Sequence, residues 1–158
     1  MKEAIVYFDG AYRSSTGITS CGAVIVDRST QQQMPFATLL DSSSNNVAEY
    51  EGAILGLSNA QRLGYTHITL RGDSMLVICQ VKGTVFDQDS ANAGLGRPSD
   101  CWRIKKEHLR PFSLRAAKLV QSFEECWLEW IPNAENKLAH NAAASVIPGT
   151  PLQRAKVS

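Results

Sequence analysis

The stretch Ala4–Ile5–Val6–Tyr7–Phe8–Asp9–Gly10 is an apolar run of strand-forming residues that ends abruptly on a carboxylate and a glycine. Such a run predicts a strand buried in a sheet. An aspartate is costly to bury unless a positive partner meets it. The position of Asp9 at the end of a buried strand therefore makes it the first candidate site residue.

Two later stretches repeat this pattern. Ile68–Thr69–Leu70–Arg71–Gly72–Asp73 is a second strand that ends on a carboxylate, and Asn45–Asn46–Val47–Ala48–Glu49–Tyr50 has another at the opening of a helix. Taken singly, Asp9 fits a turn, Asp73 a helix cap and Glu49 a capping box. Taken together, they predict one site, because a crossover helix between neighbouring parallel strands brings the carboxyl ends of those strands together.

The order of elements predicts an α/β fold with a mixed sheet. Apolar patterning and turn residues predict strands near 4–8, 21–27, within 31–40, 67–71 and 126–131, and helices near 47–63, 74–81, 111–123 and 134–146. The first three strands are expected to form an antiparallel meander. Residues 84–101 are rich in Gly, Asp and Ser and are interpreted as a mobile loop or insertion.

Local signals set the expected helix ends. Asn46 is expected to cap the first helix, with Glu49 in a capping-box-like position, and Gly64 to end it. Asp73 or Ser74 would cap the second, and Gly83 would stop it. Pro111 suits the first turn of the third helix.

Helical phase distinguishes Glu49 from Glu51. Glu49 shares a face with small residues at Ala53, Gly56 and Ala60, and such a face suits close packing on a sheet. Glu51 lies about 200° further round the helix and is expected to face water. Three inward carboxylates repel one another, and a hard divalent cation, Mg²⁺ or Mn²⁺, resolves that repulsion.

Length and composition set few further limits. The 158 residues, 44% hydrophobic and 20% charged, fit one domain, with residues 1–147 as the folded part and 148–158 as a flexible tail. No apolar run is long enough to span a bilayer. The four cysteines form no CxxC pair, which favours reduced thiols and a cytoplasmic protein. The net charge of +1 alone predicts no polyanion partner, and a monomer is expected.

The motifs together resemble the type 1 ribonuclease H family in its short archaeal, bacterial and plant-like variant. The resemblance covers roughly residues 4–146 and rests on these motifs: Tyr7–Phe8–Asp9–Gly10, Asn45–Asn46–Val47–Ala48–Glu49, Gly72–Asp73–Ser74, His108–Leu109–Arg110–Pro111–Phe112, Trp130–Ile131–Pro132 and Glu135–Asn136–Lys137–Leu138–Ala139. It implies a ribonuclease-H-like fold, a five-stranded mixed sheet with helices on both faces. It also implies hydrolysis of the RNA strand of RNA–DNA hybrids with two metal ions, which Asp9, Glu49 and Asp73 would hold.

One position departs from the family pattern. Where the family has a fourth aspartate, this chain has His140, followed by Asn141. As a ligand, His140 would bring no negative charge and would tilt the site toward Mn²⁺. In the other interpretation, His140 is an exposed helix residue and the site is degraded. Asn141 is an alternative oxygen donor, although it points about 100° away on the helix.

A basic segment marks the expected nucleic-acid surface. Residues 103–118 hold six Lys and Arg against the single acid Glu107, with Trp102 and His108 as stacking surfaces. A solvated helix face is the alternative. The predicted nucleic-acid-binding residues are Gly10, Arg13, Asn45, Asn46, Trp102, Arg103, Lys105, Lys106 and Arg110. Two other functions remain open: a non-catalytic module that binds nucleic acid or protein, and a ribonuclease H domain derived from a reverse-transcribing element.

Overall fold

The computed structural model of the chain describes residues 1–41 and 44–149. The predicted tail 148–158 lies outside the described residues from position 150 onward. The strands are β1 Glu3–Arg13, β2 Ile18–Asp27, β3 Gln33–Leu40, β4 His67–Gly72 and β5 Glu125–Trp130. The helices are α1 Asn45–Arg62, α2 Met75–Gln88, α3 Arg110–Ser122 and α4 Lys137–Ser145.

The strands form one mixed sheet in the order β3-β2-β1-β4-β5. The pairs β1–β2 and β2–β3 are antiparallel, as the predicted meander requires, whereas β1–β4 and β4–β5 are parallel. Parallel neighbours need a crossover, which α1 supplies between β3 and β4. The mixed five-stranded sheet with helices on both faces confirms the predicted fold class.

Helices α1, α2 and α3 cover one face of the sheet and α4 covers part of the other. The larger core lies under the first group, where fully buried side chains from sheet and helices meet: Val6, Phe8, Ile25, Ile68, Leu70, Tyr50, Leu57, Ile78 and Leu109. The smaller core lies under α4, around Val24, Val26 and Ala142. The three candidate carboxylates lie where these layers meet the carboxyl ends of β1 and β4.

Two glycines let α1 lie directly on β1. A Cβ at Gly56 would stand 2.5 Å from Cγ1 of Val6, and one at Gly52 would stand 2.6 Å from the carbonyl oxygen of Asp9. Real Cβ atoms do not approach other atoms so closely. Gly56 of the predicted stripe, together with Gly52 outside it, therefore lets α1 pack directly against the strand that carries Asp9.

The structure corrects several predicted boundaries. β1 continues to Arg13, because residues 11–13 pair with the start of β2. Ser44, not Asn46, caps α1, since its side chain accepts a hydrogen bond from the Val47 N–H. The capping-box interpretation of Asn46 with Glu49 is therefore wrong, whereas Gly64 follows α1 with a φ of +85°, as expected of a helix end.

The predicted stop at Gly83 is also wrong. Helix α2 runs through it to Gln88, so residues 84–88 of the predicted loop are helical. Gly83 is buried with the backbone of Trp102 against its Cα, which leaves no room for a side chain. Arg97 pairs with Asp87 at 2.5 Å and Lys82 pairs with Asp100 at 3.1 Å, so ion pairs fix the remaining segment to α2.

Among the described residues, no helix is both long enough and apolar enough to cross a bilayer.

Candidate metal-binding active site

Asp9 and Asp73 lie beside each other because β1 and β4 are parallel neighbours. The register pairs Phe8 with Gly72, and an aspartate follows each of them: Asp9 within β1 and Asp73 directly after the end of β4. In open α/β sheets this edge, outside the carboxyl ends of the strands, is where ligands bind. The condition on which the predicted convergence of the two aspartates depends, that their strands are parallel neighbours, is met.

The first turns of α1 bring Glu49 to the same place. Gly10 allows this approach, since a Cβ there would stand 2.6 Å from the Glu49 nitrogen. Carboxylate oxygens of Asp9, Glu49 and Asp73 all lie within 4.8 Å of one another. Glu51 lies outside this cluster, as predicted. It was expected to face water and is partly buried, meeting Arg115 at 3.5 Å.

Two asparagines and a tryptophan orient Asp73. Nδ2 of Asn133 donates to Oδ2 of Asp73 at 2.7 Å, and Nδ2 of Asn136 donates to Oδ1 at 3.4 Å. Nε1 of Trp130 donates to the Asp73 carbonyl at 3.1 Å. Nδ2 of Asn136 also donates to the carbonyl of Phe8 at 2.9 Å, so one buried side chain joins the ends of β1 and β4.

Burial and crowding shift the pKa values of two carboxyl groups. Burial, more than the nearby charge of Asp73, raises the pKa of Asp9 to about 6, although hydrogen bonds from Glu49 and His140 oppose the rise. Burial, then the charge of Asp9 and the hydrogen bond that Glu49 donates to it, raises the pKa of Glu49 to about 10. Without a cation, the site therefore keeps a proton between Glu49 and Asp9 at neutral pH.

The donor set fits a hard divalent cation. Oε2 of Glu49 is buried and has no hydrogen-bond partner among the described residues. A buried carboxylate oxygen without a hydrogen-bond partner costs free energy. Coordination of a metal ion by three carboxylate oxygens would remove that cost. The chemistry of these ligands suits Mg²⁺ or Mn²⁺ better than a thiophilic metal.

His140 lies on α4, at the solvent side of the cluster. Its Nδ1 is 3.2 Å from Oδ2 of Asp9, a distance at which the imidazole N–H donates to the carboxylate. The side chain of His140 is 36% exposed, against 6% for that of Asp9. His140 is therefore more than an exposed helix residue, because it contacts a buried carboxylate.

The basic segment forms one wall of a groove next to the cluster. The groove has a volume of about 670 Å³ and is lined by Asn46 on one side and by Trp102, Arg103, Lys105 and Lys106 on the other. Asn46 lies about one helical turn before Glu49 on α1, whereas none of the three carboxylates lines the groove itself. Arg110 lies outside this lining and is bound by Glu107, with Nε–Oε2 at 2.9 Å.

The other predicted contact residues do not line the groove. Asn45 is exposed at the first position of α1, and Arg13 is partly exposed at the end of β1. Gly10 has a packing role against α1. That any of these residues touches nucleic acid stays a prediction.

The residues that hold Asp73 were not identified from the sequence. Asn136 belongs to a motif noted above, yet its hydrogen bonds span 128 and 63 positions of the chain. Trp130 also belongs to a quoted motif, but that motif did not indicate contact with Asp73, and Asn133 belongs to none of the quoted motifs. Only the observation that β5 and the following turn pass beside β4 explains their roles.

Comparison with known proteins agrees with this geometry. A family model described as reverse transcriptase-like matches residues 7–95, a span that includes all three carboxylates. The bifunctional protein Rv2228c of Mycobacterium tuberculosis is 30% identical over 143 residues, covering 89% of this chain and 34% of the relative. Ribonuclease HI of Halobacterium salinarum is 30% identical over 133 residues, covering 84% of this chain and 58% of the relative. The chain thus spans about a third of the first relative's length and less than two thirds of the second's.

Three solved structures of RNase H proteins also resemble this chain. The N-terminal RNase H domain of the mycobacterial protein, solved as a fusion with maltose binding protein, matches with a TM-score of 0.77 and 27% identity over 93% of this chain and 94% of that one. RNase H1 from Halobacterium salinarum matches with a TM-score of 0.76 and 28% identity over 94% and 99%. LC11-RNase H1, in complex with an RNA/DNA hybrid, matches with a TM-score of 0.72 and 23% identity over 91% and 96%, a likeness of fold.

Proposed function

The chain belongs to the reverse transcriptase-like family of ribonuclease-H-like domains and is homologous to ribonuclease H enzymes; from this premise we propose that it hydrolyses the RNA strand of RNA–DNA hybrids. The observation that carries the proposal is the convergence of Asp9, Glu49 and Asp73, whose oxygens lie within 4.8 Å of one another. A relative named ribonuclease HI and a like-folded RNase H1 bound to a hybrid support this substrate.

Asp9, Glu49, Asp73 and His140 are the proposed metal-holding and catalytic residues. When bound, two Mg²⁺ or Mn²⁺ ions would activate the attacking water and stabilise the charge that develops on the leaving oxygen. Asp9 lies in contact with both Glu49 and His140, so it would hold a metal ion together with either of them. His140 brings a nitrogen without negative charge, and Mn²⁺ tolerates such a ligand better than Mg²⁺.

The remaining residues prepare the site for the cation. Glu49 must release the proton that it shares with Asp9 before both carboxylates can accept a divalent ion, so binding is coupled to proton loss at Glu49. Asn133 and Asn136 hold both oxygens of Asp73 in place. Because these donors are fixed by the fold, Asp73 needs little reorganisation when the ion enters.

The groove supports hybrid binding. Lys105, Lys106 and Arg103 are exposed along it and suit the phosphates of one strand, while Trp102 offers an aromatic face for a base. Asn46, on the other wall, lies nearer the carboxylates and is suited to the minor groove and its 2′-hydroxyls, which distinguish RNA from DNA. We also propose that the enzyme is monomeric and cytoplasmic. Its four cysteines are free thiols.

One observation favours a second function. The hydrogen bond between His140 and Asp9 occupies an oxygen that a metal ion would need. If that bond persisted, the domain would bind hybrids without cleaving them.

Incubation of purified protein with labelled hybrid, double-stranded RNA and double-stranded DNA separates the two functions. Cleavage of the RNA strand of the hybrid alone, dependent on Mg²⁺ or Mn²⁺ and stopped by a chelator, is the expected result. Salt-dependent hybrid binding without turnover at any concentration of either ion would support the binding module and contradict the enzyme.

A further inference from the structure

Among residues 1–41 and 44–149, no helix covers one part of a sheet face. Helix α4 packs against β1, β2 and β3 and makes no extensive contact with β4 or β5. The register aligns Ile5, Thr69 and Trp127 in one row across this open part. Trp127, on the outermost strand, is 64% exposed, more than any other described tryptophan. An aromatic side chain presented in this way, far outside the active-site groove, is unexplained by hybrid hydrolysis.

Carboxylates surround Trp127. Glu125 and Glu129 flank it on the same face of β5, and Glu3 lies two strands away in the row of Glu125. Arg28 pairs with Glu3 at 2.7 Å and Arg71 pairs with Glu129 at 2.8 Å.

Two acids on this surface lack a permanent cation. Glu124 meets only His67, at 3.6 Å, and Glu125 is exposed with no ion-pair partner among the described residues. The surface around Trp127 therefore carries an excess of negative charge.

A small cavity lies between the aromatic ring and the acids. Its volume is about 230 Å³, and it is lined by Met1, Glu3, His67, Ile68, Thr69, Glu125 and Trp127. The amino group of Met1 is the one cationic group in this described lining, which holds two carboxylates. An aromatic face with carboxylates beside it is the arrangement that binds an ammonium or guanidinium group. The cavity thus suits the side chain of a lysine or an arginine.

No described strand pairs with the outer edge of β5. β5 has β4 as its sole neighbour in the described sheet. The N–H groups of Glu125 and Ile131 donate to Thr66 and Gly72, on the β4 side. Since hydrogen bonding alternates along a strand, the N–H and C=O groups of Cys126, Leu128 and Trp130 point outward. An extended segment can pair with them.

We propose that this surface, formed by Trp127, Glu125, Glu124 and the outer edge of β5, binds an extended basic segment of a partner protein. The segment adds a strand to the sheet, and one of its lysine or arginine side chains enters the cavity against Trp127 and Glu125. The charge of the surface identifies the occupant as basic, and the free edge identifies it as extended.

The same charges disfavour other occupants. In an antiparallel pairing of two copies centred on Trp127, Glu125 of one copy would oppose Glu129 of the other, and like charges directly opposite are destabilising. Nucleic acid would meet the excess of carboxylates here, whereas the cations of the groove lie elsewhere.

Titration of isotope-labelled protein with an end-capped peptide of alternating lysine and valine tests the proposal by NMR. The expected result is a saturable shift of the Trp127 indole N–H and of the Cys126, Leu128 and Trp130 amides. Glu125→Lys should weaken binding by about tenfold, a loss expected for a desolvated ion pair with an aromatic contact. Trp127→Thr, which keeps a strand-forming residue, should also weaken it. The matched control Glu135→Lys makes the same charge change on an exposed carboxylate elsewhere.

Four results would overturn the proposal. In the first, a peptide with glutamate in place of lysine binds equally well; in the second, Glu125→Lys and Glu135→Lys weaken binding equally. In the third, raising the protein concentration alone gives the same amide shifts. In the fourth, adding hybrid gives those shifts. The titration needs neither substrate nor metal, so its outcome is independent of the proposed hydrolysis.

Discussion

Nδ1 of His140 lies 3.2 Å from Oδ2 of Asp9, and this contact ties the last helix to the carboxylate at the end of β1. Asp9 is nearly inaccessible, whereas His140 is partly exposed, so the imidazole stands between the buried carboxylate and solvent. The identity of residue 140 therefore sets how much negative charge the site offers to a cation.

Replacing His140 with aspartate should strengthen divalent binding. A fourth carboxylate adds negative charge, and affinity for hard cations rises with ligand charge. We expect His140→Asp to lower the Mg²⁺ concentration for half-maximal hybrid cleavage by about tenfold, a change of about 1.4 kcal/mol. His140→Asn, which offers an oxygen without charge, is the control. Equal effects of the two variants would mean that residue 140 does not contribute to metal binding.

The stability of the metal-free protein should fall as pH rises. The pKa values of Asp9 and Glu49 are raised, from 3.8 to about 6 and from 4.5 to about 10, so the folded state binds their protons more tightly than the unfolded state. That stabilisation is complete below about pH 4 and is lost as pH rises toward 6 for Asp9 and 10 for Glu49.

Urea unfolding in the presence of a chelator, from about pH 5 to about pH 9, measures this loss. The free energy of unfolding should fall by at most about 1.4 kcal/mol per pH unit for each proton. Glu49→Gln should flatten the profile, while Glu51→Gln, on the same helix but outside the cluster, should not. Added Mg²⁺ should stabilise the wild type more at higher pH, because it binds the deprotonated groups. A profile that Glu49→Gln leaves unchanged would show that Glu49 holds no such proton.

Substitution of Asn136 and of Asn133 should have different effects on the stability of the fold and similar effects on cleavage. Asn136→Ala removes a buried side chain that donates to Phe8 and Asp73, so we expect a loss of about 1–3 kcal/mol in stability together with slower cleavage. Asn133→Ala removes only an exposed donor to Asp73, so cleavage should slow with little change in stability. Thermal unfolding and single-turnover cleavage of both variants measure the two effects. Unimpaired cleavage by both would mean that Asp73 needs neither donor.

Gly52 should not tolerate a side chain. A Cβ there would stand 2.6 Å from the carbonyl oxygen of Asp9, so Gly52→Ala should move α1 away from β1 and shift Glu49 relative to Asp9. We expect a destabilisation of about 1–3 kcal/mol and a matching loss of cleavage. Gly96→Ala is the control, because a Cβ at Gly96 meets nothing within 4 Å. Wild-type stability in Gly52→Ala would contradict the described packing of α1.

Lysines of the groove should set the salt dependence of hybrid binding. Lys105→Ala and Lys106→Ala should each reduce the slope of log affinity against log salt by about 1 if each lysine contacts a phosphate. Arg110→Ala should reduce it less, because Glu107 binds that guanidinium at 2.9 Å. Fluorescence anisotropy with a labelled hybrid across a salt series measures the slopes. Equal slopes for all three variants and the wild type would exclude the groove as the binding surface.

The sequence predicted best what depends on periodic patterns. The neighbouring positions of Asp9 and Asp73 and the inward face of Glu49 follow from strand order and helical phase, and both were foreseen. Features set by distant contacts were missed. From its neighbours in the sequence, Gly83 is predicted to end a helix. In the structure the backbone of Trp102 packs against Gly83, and α2 continues past it. Asn136 reads locally as part of a motif, yet its role depends on residues at the far ends of two strands. Local propensity cannot report such contacts.

Single-turnover hydrolysis of a hybrid labelled on its RNA strand, compared between the wild type and Asp9→Asn in Mn²⁺, tests the central claim most directly. Asp9→Asn keeps the size of the side chain but removes the charge that Glu49 and His140 surround. We predict metal-dependent cleavage by the wild type and a loss of at least about a thousandfold in the variant, which corresponds to about 4 kcal/mol. Cleavage at a similar rate by both proteins would contradict the assignment of the site.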